Sequence, residues 1–154
     1  MNRLPHLLIL MFALSLGACS RQPDWQKPEP PVWALVGSST GERPTRVFIH
    51  TKAFRKSPEH PGVRALLRFQ PIADGSAESA EEFASVQNFT CVPSQEGYKL
   101  TAQLAFYSGQ RIPNELPSEE QLPKALAWRD FTDVVPGGVF AEARKAACYL
   151  AGYK

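Results

Sequence analysis

The residues with the most definite chemistry in this 154-residue chain are its three cysteines. If the N-terminal Cys19 carries lipid, Cys91 and Cys148 remain as an even pair. In an exported protein such a pair is expected to form a disulfide. The bond would pin a predicted C-terminal helix to a strand and contribute about 4 kcal/mol by closing a long loop. Two separately buried thiols are the alternative.

Histidine and serine patterns do not indicate a catalytic or metal centre. His50 and His60 lie in different segments, and neither has Cys, Asp or Glu at the spacing that metal sites use. The chain also lacks a Gly-x-Ser-x-Gly elbow and a glycine-rich phosphate loop. The sequence therefore predicts a protein that is not an enzyme and that has no metal and no cofactor.

Basic side chains concentrate in one part of the chain. Residues 42–70 carry seven basic and two acidic side chains, whereas residues 71–98 carry five acidic and no basic ones. If the second and third predicted strands pair, their cations would share one outward face, and like charges opposite each other favour an anionic partner. Arg46, His50, Lys52, Arg64 and Arg68 form a candidate binding face for an acidic glycan, lipid head groups or an acidic protein surface. The favoured alternative is a solvated strand face that is partly neutralised by Glu78, Glu81 and Glu82.

The N-terminus has the three-part layout of a secretory signal. Arg3 is followed by an apolar run too short to span a bilayer, and small residues precede Cys19. The sequence Leu16-Gly17-Ala18-Cys19 resembles the lipobox of bacterial lipoproteins. That resemblance implies a cleaved signal peptide at residues 1–18 and an acylated, palmitate-bearing Cys19. Because Ser20 is not an aspartate, it also implies sorting to the outer membrane. An ordinary signal cut is the alternative.

A proline-rich segment begins the mature chain. Residues 19–31 contain four prolines, which favour extended backbone over helix or central strand. We expect a tether that holds the folded domain away from the lipid surface, with Trp25 as a spacer aromatic. Residues 32–154 are numerous enough to bury one core, so they are expected to form a single domain.

Alternating apolar residues predict an antiparallel sheet of five or six strands followed by one helix. In the second strand, Ala53 is expected to face the core and Phe54 to face outward. One strand is expected from Tyr98 to Tyr107, antiparallel to the strand before it. The third strand is expected to direct four side chains inward: Val63, Ala65, Leu67 and Phe69.

Pro136-Gly137-Gly138 is expected to open a helix from about Val139 to Leu150, whose apolar stripe would cover the sheet. Short connections without a βαβ rhythm indicate an α+β domain, with a β-sandwich as the alternative. Cys148 lies about 150° from the centre of the stripe, so the helix must be covered on two sides or distort near its end.

Overall composition excludes some partners. The chain has 17 basic and 15 acidic residues, and its net charge of +2 is too small for a nucleic-acid-binding domain. Its 44% hydrophobic content fits a globular domain.

Several spaced features together resemble the surface-adhesin protein E family. They are a lipobox, a Trp-led first strand, a strand ending in Cys91, Tyr107-Ser108-Gly109, and Trp128 followed by Val135-Pro136-Gly137-Gly138 and a helix bearing Cys148. The resemblance covers roughly residues 33–150. It implies a lipid-anchored, noncatalytic outer-membrane module whose sheet is tied to its helix by a disulfide and which binds host or envelope macromolecules. A periplasm-facing accessory lipoprotein of an envelope assembly is the alternative, and an envelope hydrolase is a third.

Overall fold

The computed structural model describes residues 21–58, 61–72, 81–92, 98–101, 105–108, 111–122 and 131–153. The predicted signal peptide, Cys19, His60, Glu78 and Trp128 lie outside the described residues. The described elements are β1 (Trp33–Ser39), β2 (Thr45–Lys56), β3 (Gly62–Pro71), β4 (Phe83–Thr90), β5 (Tyr98–Thr101), β6 (Ala105–Ser108), β7 (Phe131–Val134) and α1 (Val139–Leu150). Short 3-10 turns occur at Asp24–Gln26 and Glu119–Gln121. Within these ranges, no helix combines the length and apolar character needed to cross a membrane.

The strands form one antiparallel sheet in the order β1-β2-β3-β4-β5-β7, with β6 also pairing with β4. The four long strands β1 to β4 form its main part, and α1 follows at the C-terminal end, so the predicted α+β class is confirmed. Within the described ranges the sheet contains seven strands, so the expected number of five or six is not shown. The strand expected from Tyr98 to Tyr107 is described as β5 and β6, which both pair antiparallel with β4.

The helix α1 lies across one face of the sheet. It approaches β1 closely at Gly37, where a Cβ atom would lie 3.3 Å from Val139 Cγ2. A turn with Gly137 at φ 75° precedes the helix, a conformation that glycine adopts without strain. Strands and helix share a buried apolar core that includes Val47, Ile49, Val63, Ala65, Leu67, Phe69, Phe89, Ala143, Ala146 and Ala147. The inward direction predicted for β3 and the helical stripe are therefore confirmed.

A disulfide joins Cys91 to Cys148, as predicted, and so ties the end of β4 to α1. One helical turn before Cys148, the buried Arg144 side chain donates hydrogen bonds to the carbonyl oxygens of Thr90 and Val92 at 2.6 and 2.8 Å. The helix continues without interruption to Leu150. It is therefore covered on two sides, which explains how a cysteine far from the alanine stripe is buried.

The N-terminal segment contributes a side chain to the same core. Trp25 is only 6% exposed, and its ring lies edge-on to Tyr149 with 5.3 Å between ring centroids. The prediction of a spacer aromatic is therefore wrong. The 3-10 turn at Asp24–Gln26 allows a large apolar ring to leave solvent by packing on α1, a gain that the proline pattern alone does not reveal.

The other face of the sheet carries a second core, covered by the segment 111–122. Three of its side chains, Ile112, Leu116 and Leu122, pack with Trp33, Ala53, Leu66, Ala84 and Val86. Ala53 thus lies on the face opposite the one expected, while Phe54 packs against the helix-side core. The cause is a bulge in β2. Ile49 pairs with Leu67 but Phe54 pairs with Ala65, so an odd number of extra residues inverts the alternation.

Candidate functional site

The predicted cationic face consists of Arg46, His50, Lys52, Arg64 and Arg68, and the structure exposes these residues unequally. Arg46 and Lys52 are exposed, and Arg68 is half-buried. His50 and Arg64 are both only 5% exposed. The expected solvent-facing arrangement is therefore not found for His50 and Arg64. The turn at Glu119–Gln121 binds Arg64, and Trp33 packs against His50.

Arg64 lies at the centre of an ion-pair network. Its Nη1 donates to both carboxylate oxygens of Glu119, at 2.7 and 2.6 Å, and its Nε donates to Asn88 Oδ1 at 2.9 Å. Arg55, which pairs with Arg64 in the register of β2 and β3, also binds Glu119 Oε1 at 2.5 Å. One carboxylate therefore bridges two cations that would otherwise repel each other across neighbouring strands.

Arg68 is also engaged. Its Nε donates to Glu82 Oε2 at 2.9 Å, its Nη2 binds the same oxygen, and its guanidinium lies 5.8 Å from the centre of the Trp33 ring. Gln70 donates to the other Glu82 oxygen at 2.7 Å. The neutralisation of this face by Glu82, given above as the alternative, is thus present for Arg68.

These contacts change the pKa values of the Glu119 and Glu82 carboxyl groups. Burial alone would raise the pKa of Glu119, but hydrogen bonds from Arg64 and Arg55, together with their charges, hold that pKa below its usual value. Burial would likewise raise the pKa of Glu82, and hydrogen bonds from Arg68 and Gln70 and the charge of Arg68 lower it. Both side chains are therefore stable anions at neutral pH, and they cancel much of the positive charge of β3.

His50 makes contacts that stabilise the fold, rather than contacts that a ligand could use. Its Nδ1 accepts hydrogen bonds from the backbone N–H groups of Lys52 and Ala53, at 3.2 and 2.9 Å, within the β2 bulge. Trp33 packs edge-on against the imidazole at 4.8 Å. Burial lowers the pKa of His50, and the charge of Lys52 lowers it further. The ring is therefore neutral at pH 7 and holds the irregular backbone in place.

Sequence reasoning did not identify Glu119 as the partner of Arg64. The two residues are 55 positions apart, and Glu119 lies in a proline-rich connection with no periodic pattern. A local signal exists only for the turn that holds it, because Ser118 and Gln121 form a capping box. That signal indicates a helical turn but does not indicate which strand the turn contacts.

A cavity of about 310 Å³ lies on the helix side of the sheet, away from the cationic face. Its wall includes Phe69 and Phe83 from β3 and β4 and Phe140 from the first turn of α1. Ser85 and Gln87 of β4 supply polar atoms. Elsewhere in the described ranges, no group of three or more His, Cys, Asp or Glu side chains is placed to hold a metal ion.

Comparisons with known protein families, with curated proteins and with solved structures found no match to this chain.

Proposed function

We propose that the protein is a lipid-anchored, noncatalytic binding module of the bacterial outer membrane, similar to surface-adhesin protein E, that contacts host or envelope macromolecules. The observation that carries this proposal is the Cys91–Cys148 disulfide, which is expected in an exported protein. Trp25 also docks into the core only six positions after Cys19. At about 3.5 Å per residue, the intervening chain reaches roughly 20 Å at most. An acyl group on Cys19 would therefore hold the domain close to the membrane surface.

The disulfide supports an exported location. Bonds such as Cys91–Cys148 persist in oxidising compartments and are rare in the cytosol. This agrees with the lipobox at Leu16-Gly17-Ala18-Cys19. Two independent features, one at the N-terminus and one in the folded domain, thus favour the cell envelope.

The chemically reactive side chains already make contacts within the fold, which favours a binding function over a catalytic one. His50 Nδ1 already accepts two backbone N–H groups, so it is not available as a base at that atom. Cys91 and Cys148 are joined to each other, which removes both thiols as nucleophiles. Arg64 is held by Glu119 and Asn88. Each of these groups serves the fold.

Binding of an acidic partner at the cationic face would depend on Arg46 and Lys52, since these two cations are exposed. The charges of Arg64 and Arg68 are compensated by Glu119 and Glu82. An acidic glycan such as heparin is the direct probe of this face. Arg46→Glu with Lys52→Glu is expected to abolish any salt-sensitive heparin retention, whereas equal retention by the unaltered chain and the double variant would exclude this face.

The anchoring part of the proposal is tested by labelling cells with radioactive palmitate. The unaltered chain is expected to take up label and to fractionate with outer membranes, and Cys19→Ser is expected to lose both properties. The Cys91→Ser, Cys148→Ser double variant is the matched control for label uptake, because it removes the other two cysteines but keeps the predicted acylation site. Label retained in Cys19→Ser would overturn lipid attachment at that residue.

The side of the outer membrane that the domain faces distinguishes the adhesin-like function from that of a periplasm-facing accessory lipoprotein. Intact and permeabilised cells are treated with proteinase K, which has an exposed target in the loop at residues 40–43. Cleavage on intact cells would support surface display. Protection until permeabilisation would place the domain in the periplasm and direct the search to envelope partners.

A further inference from the structure

We propose that the cavity between α1 and the sheet is a binding site for a small, uncharged aromatic ligand that carries one hydrogen-bond donor. The cavity is bounded by the first turn of α1 and by the ends of strands β1 to β4, and its volume is about 310 Å³. This volume lies at the lower end of the roughly 300–1,000 Å³ range of small-molecule sites. It is about twice that of a ~150 Å³ cavity that accepts benzene, so a two-ring ligand fits.

The wall of the cavity favours an aromatic body. Phe69 and Phe83 stack with 4.6 Å between ring centroids and 5° between ring planes. Phe140 is tilted against Phe69 at 6.1 Å and brings a third ring from the helix. Ring faces and edges of this kind interact favourably with another aromatic ring in offset or edge-on contact.

Two buried polar side chains indicate which hydrogen-bonding group the ligand carries. Ser85 and Gln87 lie on the core side of β4, between Phe83 and Phe89, and they are only 2% and 5% exposed. Gln87 Nε2 donates to Ser85 Oγ at 2.8 Å. No other residue that the structure describes bonds to Gln87 Oε1 or accepts the Ser85 hydroxyl proton.

Gln87 Oε1 is not fully buried, so it faces the accessible space of the cavity, where a ligand can reach it. An apolar residue at either position would leave this part of the wall without a hydrogen-bonding group. A ligand donor bound to Gln87 Oε1 would satisfy the amide, and the Ser85 hydroxyl could in turn donate to the ligand oxygen. Ser85 and Gln87 are therefore arranged to recognise a ligand rather than only to fill the core.

The charge of the ligand follows from the lining. None of the described residues that line the cavity carries a charge, so an ionised ligand would lose its hydration without gaining a counter-ion. A hydroxyl or secondary amine on an aromatic ring system is the chemistry that fits. Binding in this cavity involves the folded domain alone and is independent of lipid anchoring.

The probe is 2-naphthol, which is uncharged at pH 7 and has two rings and one hydroxyl donor. Binding to the exported full chain carrying Cys19→Ser, which excludes an acyl chain as competitor, is measured by isothermal titration calorimetry. Saturable one-to-one binding is expected. Naphthalene, which lacks the hydroxyl, is expected to bind about fivefold more weakly, and 2-naphthoate at least about tenfold more weakly.

Two variants tie binding to the cavity. Gln87→Leu is expected to reduce 2-naphthol affinity to that of naphthalene while leaving naphthalene binding in place. Ser85→Leu fills part of the cavity and is expected to abolish binding of both, with a melting temperature no lower than that of the unaltered chain. Ser38→Leu makes the same change at an exposed position of β1 outside the cavity lining and is expected to bind 2-naphthol normally.

Absence of saturable 2-naphthol binding to the folded chain would overturn the proposal. Equal affinities of the unaltered chain, Gln87→Leu and Ser85→Leu would do so as well, since the probe would then bind elsewhere. If Ser85→Leu does not fold, Gln87→Leu still decides, because only a ligand held at this amide loses its preference for the hydroxyl.

Discussion

Arg64 on β3 and Glu119 in the connection after β6 meet with 2.6 Å between Nη1 and Oε2, on the sheet face opposite α1. Arg64 is almost fully buried there, whereas Glu119 is more than half exposed. The contact fixes the turn at Glu119–Gln121 over the second core. Arg64 belongs to the candidate binding face predicted from the sequence, but in the structure it holds the segment 111–122 against the sheet.

Replacing Glu119 by glutamine is expected to destabilise the protein. Arg64 would keep its bond to Asn88 but would lose the charge that compensates its buried guanidinium, at a cost of about 1–2 kcal/mol. Urea unfolding at pH 7 measures the change. Glu120→Gln is the matched control, because Glu120 is adjacent and exposed, and it should change the free energy of unfolding by less than about 0.5 kcal/mol. Equal effects of the two variants would show that the bridge does not stabilise the fold.

The pH dependence of stability is expected to report on His50. Its folded-state pKa is below the ordinary value of 6.5, so the unfolded chain takes up a proton first as the pH falls. Stability should be constant above that value and decrease below it, by at most about 1.4 kcal/mol per pH unit. Unfolding curves at pH 7 and pH 5.5 avoid the range below 4.5, where Glu82 and Glu119 lose their contributions as they are protonated.

The variant His50→Asn tests whether His50, rather than another titrating group, causes this loss of stability. His50→Asn keeps a hydrogen-bond acceptor near the Nδ1 position but has no titrating proton, so the decrease between pH 7 and 5.5 should disappear. His60→Gln removes the other histidine of the domain and should retain the decrease. A decrease that persists in His50→Asn would assign it to another group.

Much of the fold could be predicted because regular elements follow local periodicity. The inward side of β3 and the start of α1 at Val139 agree with the pattern. The β2 bulge could not be read from that pattern, since it depends on how His50 accepts the N–H groups of Lys52 and Ala53. Burial of Trp25 and the pairing of Arg64 with Glu119 are contacts between distant segments, and one sequence has no local signal for them.

The disulfide is expected to provide a large share of the stability. Cys91 and Cys148 are 57 positions apart, and closing a loop of that length removes chain entropy from the unfolded state, which stabilises the folded state by about 4 kcal/mol. The Cys91→Ala, Cys148→Ala double variant should show this loss in urea unfolding under non-reducing conditions. Adding a reductant should lower the stability of the unaltered chain and leave the double variant unchanged. A reductant effect of similar size in both would point to a cause other than this bond.

Removal of the Trp25 side chain is expected to release the N-terminal segment from the domain. Trp25→Ala takes a buried indole from its position against Tyr149, and losses of about 3 kcal/mol are typical of such truncations. The free energy of unfolding measures this loss, and limited proteolysis of the segment before β1 measures the release. The control is Lys27→Ala, which breaks only the exposed ion pair with Asp24 and should cost less than about 1 kcal/mol. If Trp25→Ala and Lys27→Ala behave alike, the whole segment acts as a spacer, and the domain can move further from Cys19 than the docked ring allows.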